Sequence, residues 1–478
     1  MRIAVVGSGY VGLVAGACFA ELGHQVVLVD NDERKLAELQ RGECPIHEKF
    51  LPELLERHRG KSLDFTGDLA DAVRRSQLIF VAVGTPPKDD GDADLSYVES
   101  VAQGIACAID DYKVIVEKST VPVYTNSWVR KIMLLNGAPA ELFDVASNPE
   151  FLREGTAVAD FLYPDRIVVG ADSDRCADLL AEAYQPLVDG SYFKRPDAIP
   201  GPVTGPFQAN LLRTSAKSAE LIKHASNAFL AMKISFINAV ASVCEAVGAD
   251  VEQVREGIGT DSRIGRRFLS PGVGYGGSCF PKDLLAFRSV ARENGCHFGL
   301  LDETVRVNEE QRNRFLRKVR KALWTLKGKK LGVLGLAFKN GTDDLRESPA
   351  VAIINALLKE GCSVTAYDPA AMERAAEEFG PAGAVKFASG PYEALEGADA
   401  CLVLTEWEDF AALDLGRIKQ LLHYPIVVDG RNLFKPALME AAGLNYYSVG
   451  RPDVVGERAV SIKASLKEDA AKQNEAAA

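Results

Sequence analysis

A cysteine in the run PGVGYGGSCFPKD, Pro271–Asp283, is set up for nucleophilic chemistry. Four glycines clear the space around the Cys279 thiol. Pro281 marks a helix start, because its ring pre-sets φ and its missing N–H is not needed in a first turn. LLAFRSVAREN, Leu284–Asn294, reads as that helix, and Gly295 reads as its stop. A thiol at a helix N-terminus meets partial positive charge, to which Lys282 adds its own, and both favour the thiolate. A lone cysteine is ordinarily a small buried apolar group; the glycine and proline setting favours a nucleophile here.

The start of the chain indicates what that nucleophile works with. Arg2–Val6 is a β-rich run and reads as a buried strand. Gly7, Gly9 and Gly12 follow it as GxGxxG, then a helix over Leu13–Leu22, a stop at Gly23, a strand over Gln25–Val29, and Asp30. Strand, glycines, helix, strand and acid in that order form the dinucleotide fingerprint. Gly7 makes the tight turn, Gly9 lets backbone approach a pyrophosphate, and Gly12 permits close helix–strand packing. The helix N-terminus supplies an anion site. Asp30 would accept from ribose hydroxyls and repel a phosphate, so NAD is expected rather than NADP.

These groups need a scaffold. Leu78–Val83 and Lys113–Glu117 read as buried parallel strands, and Gly84-Thr85-Pro86-Pro87 and Ser119-Thr120-Val121-Pro122 follow them. Both loops fall where strand C-termini deliver ligand contacts in an open α/β sheet. Lys88–Leu95, KDDGDADL, lacks the spacing and final Glu of a calcium loop and reads as a solvated loop. Ser218–Val247 reads as one long helix closed by Gly248, with Phe229, Met232, Phe236, Val240, Val243 and Val247 at helical spacing. Apolar residues on more than one face predict burial by both a domain and a second subunit. Lys223 and Asn227 lie i, i+4 on that helix and share a face, either as a satisfied internal pair or as site residues. After the basic run Lys327–Lys330, strands are expected at Leu331–Leu334, Val364–Tyr367, Ala400–Leu404 and Ile426–Val428. This second α/β region has no GxGxxG and is expected to bind something other than a second dinucleotide. The fold class is therefore α/β, with two Rossmann-like doubly wound domains joined by a long central helix. The expected division is 1–206 for the NAD-binding domain, 207–326 for a helical region carrying the cysteine, and 327–463 for the second domain. A disordered tail is expected over 464–478.

Composition excludes other classes. The 478 residues are 47% hydrophobic and 25% charged, as expected of an ordered globular chain of two or three domains. The net charge is −11, with basic residues spread throughout, so nucleic acid is not expected as a partner. No uninterrupted apolar run reaches the roughly 18 residues of a membrane span, and no leader pattern opens the chain, so no membrane partner is expected. Nine scattered cysteines without a CxxC pair suit a reducing cytoplasm and predict neither a disulfide framework nor a metal site. His224, beside Lys223, reads as a satisfied structural histidine.

With these elements placed, the chain resembles the UDP-glucose 6-dehydrogenase family, NAD-dependent four-electron oxidoreductases that make UDP-glucuronate. The motifs are GxGYVG at Gly7–Gly12, GTP at Gly84–Pro86, STVP at Ser119–Pro122, NPEFLREG at Asn148–Gly155, KxxxN at Lys223–Asn227, GGSCFPKD at Gly276–Asp283 and FK…RESP at Phe338–Pro349. They span nearly the whole chain, to about residue 452. Relatives that oxidise GDP-mannose are similar throughout, but GVGYGGSCF leans to UDP-glucose, and Ser278 argues against the UDP-N-acetyl-sugar branch. One departure is visible: the family's aromatic-Glu-Pro-Gly-Leu is His47-Glu48-Lys49-Phe50-Leu51 here.

The resemblance implies roles residue by residue. Cys279 would form a thiohemiacetal and then a thioester. Lys223 and Asn227 would stabilise developing oxyanions, and Asp283 would handle water and proton, with Thr120 and Glu154 as further catalytic groups. NAD would meet Gly7, Gly9, Tyr10, Val11, Gly12, Asp30 and Lys35, then Gly84, Thr85, Thr120 and Glu154, and also Lys282 and Arg346. The sugar nucleotide would meet Glu150, Phe151, Leu152, Arg153 and Glu154 of the NPEFLREG run, together with Lys223, Asn227 and Cys279. Phe268, Leu269 and Gly272 would wrap it by backbone contacts, and Phe338, Lys339 and Arg431 would hold the UDP side. Arg263 would reach a neighbour's site in a homodimer.

Overall fold

The computed structural model describes residues 1–86, 88, 93–201, 207–380 and 385–455. The expected boundary at 206, half of the acidic loop Lys88–Leu95 and the expected tail lie outside them. The chain divides into two compact units, Met1–Ala228 with Lys282–Phe298, and Phe229–Pro281 with Gly299–Ala478.

The first unit is built on an eight-stranded sheet. Its strands are β1 (Arg2–Val6), β2 (Gln25–Val29), β3 (Leu63–Thr66), β4 (Leu78–Val81), β5 (Lys113–Glu117), β6 (Phe143–Ser147), β7 (Ile167–Gly170) and β8 (Leu211–Thr214). Their order is β3-β2-β1-β4-β5-β6-β7-β8, and only β6 and β7 pair antiparallel. The central strands are buried on both faces, as a sheet covered by helices on each side requires, while the edge strands β3 and β8 are partly exposed. Ile3, Val5 and Phe80 pack with the helix Tyr10–Glu21, whereas Ala4, Val6 and Ile79 pack with the helices Ser96–Ala108 and Thr125–Leu135. Strand order reverses between β1 and β4, and Val6 pairs with both Val29 and Val81. That register places Gly7, Asp30 and Ala82 at one level, just past the strand ends where an open α/β sheet binds ligands.

The second unit repeats this plan on six parallel strands. They are β9 (Lys330–Leu334), β10 (Ser363–Tyr367), β11 (Val385–Phe387), β12 (Ala400–Val403), β13 (Ile426–Asp429) and β14 (Asn445–Ser448), in the order β11-β10-β9-β12-β13-β14. Its reversal lies between β9 and β12.

The long helix runs Ala216–Val247, and the division between the units falls inside it, after Ala228. At about 1.5 Å per residue it is about 48 Å long. Of the described helices it alone is long and apolar enough, by length and composition, to cross a membrane. In the second unit Ile237, Ala241 and Cys244 are buried, but Phe229, Phe236, Val243 and Val247 are 57%, 56%, 61% and 71% exposed. The face expected to pack on this chain's own domain is buried, and seven-residue spacing puts Phe229, Phe236 and Val243 on a second, bare stripe. The helix after Cys279 runs Phe280–Glu293, so Phe280 and Pro281 lie in its first turn, and it starts earlier than Leu284. The first helix likewise starts at Tyr10, which puts Gly12 inside its first turn.

Candidate active site

The cofactor loop shows why each glycine is needed. Gly7 has φ +103°, and a Cβ there would lie 2.7 Å from the Ala82 carbonyl oxygen. A Cβ on Gly12 would lie 1.8 Å from the Gly7 carbonyl oxygen, so the helix could not approach the strand. At Gly9 a Cβ would meet no protein atom within 4 Å, so the chain itself leaves that space open. Open backbone at a helix N-terminus fits a pyrophosphate, and these residues fit NAD. Asp30 accepts from the Ser8 N–H at 2.7 Å and the Asp32 N–H at 2.9 Å, and Lys35 lies 3.8 Å away. Burial opposes charge on Asp30, but the Ser8 hydroxyl, those N–H groups and Lys35 outweigh it and hold the carboxyl below its ordinary value. Tyr10 bonds through its hydroxyl to Glu48, and the Gly155 N–H donates to the same hydroxyl at 2.9 Å. Gly84 is also open, and Lys282 donates to the Thr85 hydroxyl at 3.0 Å, which donates to the Thr120 carbonyl at 2.9 Å.

One face of the long helix organises the rest of this unit. Lys223 is buried and donates to the Glu150 carbonyl at 2.7 Å and to its carboxylate at 2.8 Å. Asn227 donates to the Asp283 carboxylate at 2.5 Å, in the first turn of the helix Phe280–Glu293. The structure therefore brings Lys223, Asn227, Glu150 and Asp283 together at one helix face. Burial opposes the charge on Glu150; Lys223 outweighs it and keeps the carboxyl below its usual range. Within NPEFLREG, the Leu152 N–H donates to Glu150 at 2.6 Å, and Phe151 lies under the Arg166 guanidinium at 3.7 Å. Arg153 is exposed and pairs with Asp160 at 2.5 Å, while Glu154 is half-buried.

The second unit holds the thiol. Ser278 Oγ lies 3.6 Å from Cys279 Sγ. A Cβ on Gly276 would lie 2.2 Å from the Glu347 carbonyl oxygen, and one on Gly277, at φ +85°, 2.8 Å from the Phe338 ring. The chain before the cysteine is thus pressed against the loop after β9. Upstream, the Gly272 N–H donates to Asn238 at 2.9 Å and its carbonyl accepts from Gln311 at 2.8 Å. Phe268 holds φ +62° beside Leu269, which is buried.

Arg431 spans the reversal point of the second sheet. Its guanidinium donates to the Phe338 carbonyl after β9 and to the Leu404 carbonyl after β12, both at 2.8 Å. Lys339 has its ammonium 5.6 Å from the Phe338 ring centre. Asp368 occupies the place after β10 that Asp30 occupies after β2. It is wholly buried and accepts from the Leu336 and Ala337 N–H groups and from the Trp407 ring N–H at 2.8, 3.1 and 3.1 Å. Wholly enclosed, Asp368 presents no exposed oxygen to a ribose, whereas Asp30 remains partly exposed. Arg346 is paired with Asp344 at 2.7 Å, and Arg263 with Asp261 at 2.6 Å.

Sequence reasoning missed several groups behind these residues. Lys118 is buried, donates to Asn148 at 2.9 Å and Tyr184 at 3.2 Å, and burial pushes its amine down to about 7. It thereby pins the first residue of NPEFLREG. Glu117 and Glu220 lie behind STVP, and Glu48 bonds to Tyr10 and to the Gly155 N–H. Lys118 adjoining Ser119 and Glu220 preceding Lys223 by three residues were the available signals. His224 donates from Nε2 to the Val121 carbonyl at 2.8 Å, but its buried Nδ1 has no hydrogen-bond partner among the described residues, so the expectation of a satisfied histidine holds for one ring nitrogen only.

Comparison with known proteins covers the same ground. Models of the UDP-glucose/GDP-mannose dehydrogenase family match the chain in three places: the NAD binding domain over residues 1–188, the central domain over 217–310, and the UDP binding domain over 332–436. A UDP-glucose 6-dehydrogenase of Bacillus subtilis (strain 168) is 45% identical over 456 residues, covering 95% of this chain and 94% of that protein. One from Rhizobium meliloti (strain 1021) is 45% identical over 458 residues, covering 95% of this chain and 100% of its own. A solved UDP-glucose dehydrogenase from Pyrobaculum islandicum superposes with a TM-score of 0.84 at 37% identity, covering 94% of this chain and 98% of that one.

Proposed function

The chain belongs to the UDP-glucose/GDP-mannose dehydrogenase family, and we propose that it oxidises the C6 alcohol of UDP-glucose to the carboxylate of UDP-glucuronate. Full-length similarity, at 45% identity, to proteins that carry this activity in their names is the observation that carries the substrate. NAD, when bound, supplies the hydride acceptor for both oxidations.

The chain's own residues do the remainder. Lys223 keeps its positive charge beside ionised Glu150, and with Asn227 it stabilises the alkoxide of the first oxidation. Asp283 accepts from the Asn227 amide and so fixes which way that amide points. The Cys279 sulfur adds to the aldehyde carbon, a C–S bond forms, and the carbonyl oxygen takes a proton, giving a thiohemiacetal. Loss of a second hydride and of that proton leaves a thioester. Water then attacks, the C–S bond breaks, and sulfur leaves as the thiolate, with Glu154 as the base that takes the water proton. Thr120 contributes through its place on the STVP loop. Lys339, Arg431 and Phe338 bind the UDP side, with backbone of Phe268, Leu269 and Gly272 along the sugar. Arg346 and Lys282 serve the cofactor, and Arg263 serves a neighbouring subunit of a homodimer. The protein works in the cytoplasm without nucleic acid or membrane, and the division into 1–206, 207–326 and 327–463 follows these tasks.

The test is a substrate panel. Purified protein with NAD and UDP-glucose is expected to form two NADH per sugar. GDP-mannose or a UDP-N-acetyl sugar should give far less. Faster turnover of GDP-mannose would overturn the assignment.

A further inference from the structure

The segment Thr120–Asn126 joins β5 to the helix Thr125–Leu135, and it is held from the long helix at three points. His224 donates to the Val121 carbonyl at 2.8 Å. Glu220, one turn earlier, accepts from the Tyr124 and Asn126 N–H groups, both at 2.9 Å. Between them Tyr124 sits at φ +84°, a left-handed conformation that a side-chain-bearing residue rarely adopts. Such a conformation persists only where the surroundings over-determine it. Here a buried carboxylate supplies that constraint, because Tyr124 must turn its N–H toward Glu220. Glu220 also fills the place of a cap, since the Thr125–Leu135 helix has no side-chain cap of its own.

We propose that Glu220 and His224 are positioning residues of the oxidation, a clamp that fixes Thr120, with Glu117 holding the proton that lets Glu220 act as the acceptor. This rests on the UDP-glucose dehydrogenase reading for its kinetic consequence only. Glu117, at the end of β5, is buried beside the Glu220 carboxyl, and neither of its own carboxyl oxygens has a hydrogen-bond partner among the described residues. Two buried carboxyls that act on each other disfavour double ionisation. Glu220 accepts two backbone N–H groups, so the negative charge belongs there and the proton belongs to Glu117. Burial and then the charge of Glu220 push Glu117 well above the carboxylate range. The other groups facing the pair are Asp172, after β7, whose charge also disfavours ionisation of Glu220, and His224, which burial keeps neutral. Lys217 lies over the Tyr124 ring at 5.3 Å. A carboxyl with a raised value stabilises the fold below its unfolded value and loses that contribution as pH climbs through the folded one. The clamp should therefore fail on the alkaline side.

Amide exchange and steady-state kinetics on the full-length protein test this. Glu220→Gln keeps shape but offers one oxygen to two N–H groups. Exchange over residues 119–126 should then quicken about tenfold, and kcat should fall about 10- to 100-fold with little change in either KM. Glu117→Gln mimics the protonated carboxyl and should move the alkaline limb of kcat to higher pH. In the unaltered protein, exchange over 119–126 should rise at alkaline pH beyond the intrinsic base dependence, a readout that needs no variant and no substrate. Unchanged exchange in both Glu220→Gln and the alkaline protein would overturn the clamp. So would a Glu117→Gln alkaline limb that stays in place. Absence of NADH from UDP-glucose in the unaltered protein would instead overturn the substrate reading, and the exchange measurements would still decide the clamp.

Discussion

Lys223 and Glu150 have side chains that are each 5% exposed, and they bond at 2.8 Å. A buried ion pair is weak evidence for stability, but removing one partner strands the other charge in a medium that cannot solvate it. Lys223→Ala should therefore fail twice. The fold should lose about 3–5 kcal/mol, read by urea unfolding. Turnover should fall by about 10²–10³, since a positive group at a developing oxyanion is removed. A variant of ordinary stability and turnover would show that the pair is neither buried nor used. Asn227 and Asp283 follow a related logic, because a neutral amide there donates to a carboxylate that is itself buried.

At the scale of elements, Glu21 shows how helices are tied together around the cofactor loop. Its side chain has no exposure and ends the helix Tyr10–Glu21. It accepts from Arg57 at 3.0 Å and His58 at 2.7 Å, on the helix Leu51–His58, and pairs with Arg195 at 3.2 Å. Burial opposes its charge, but His58, Arg195 and Arg57 outweigh burial and lower its value. A lowered carboxyl contributes stability above its unfolded value of about 4.3 and loses it as pH falls through the folded value. Glu21→Gln should cost about 2–4 kcal/mol at pH 7 and flatten the acid limb of the stability–pH curve, checked by thermal melts from pH 7 down to 3. An unchanged acid limb would contradict this. Glu21 drew no notice in the sequence, because its partners come from 36 and 174 residues away. Local runs were legible: β1, β2 and β5 are runs rich in Val and Ile that stop before Gly7, Asp30 and Lys118. The first helix start was read late, because a glycine that signals a loop lies inside its first turn at Gly12, whereas Pro281 sits in a first turn as its fixed φ predicts. The departure at His47–Leu51 has a physical trace as well. Phe50 stands where the family has glycine and holds φ +68°, a conformation that glycine adopts without penalty.

At the scale of the whole molecule, two doubly wound sheets use one plan for different ligands. The first leaves Asp30 partly exposed after β2, whereas the second seals Asp368 under Trp407 and backbone N–H groups. Absence of GxGxxG was visible in the sequence, but the sealing of Asp368 was not, since Trp407 is 39 residues distant. The stripe of Phe229, Phe236 and Val243 belongs to this scale too, because a monomer gains nothing from exposing it. Phe236→Glu should therefore lower the solution mass, by light scattering, toward that of a single 51.6 kDa chain. An unchanged mass would place the homodimer contact elsewhere or remove it from the account. The central claim, a covalent sulfur intermediate, is tested most directly by product stoichiometry in Cys279→Ala with NAD and UDP-glucose. The account predicts no UDP-glucuronate from that variant, against two NADH per sugar from the unaltered protein. Acid formation by Cys279→Ala at the unaltered rate would contradict it.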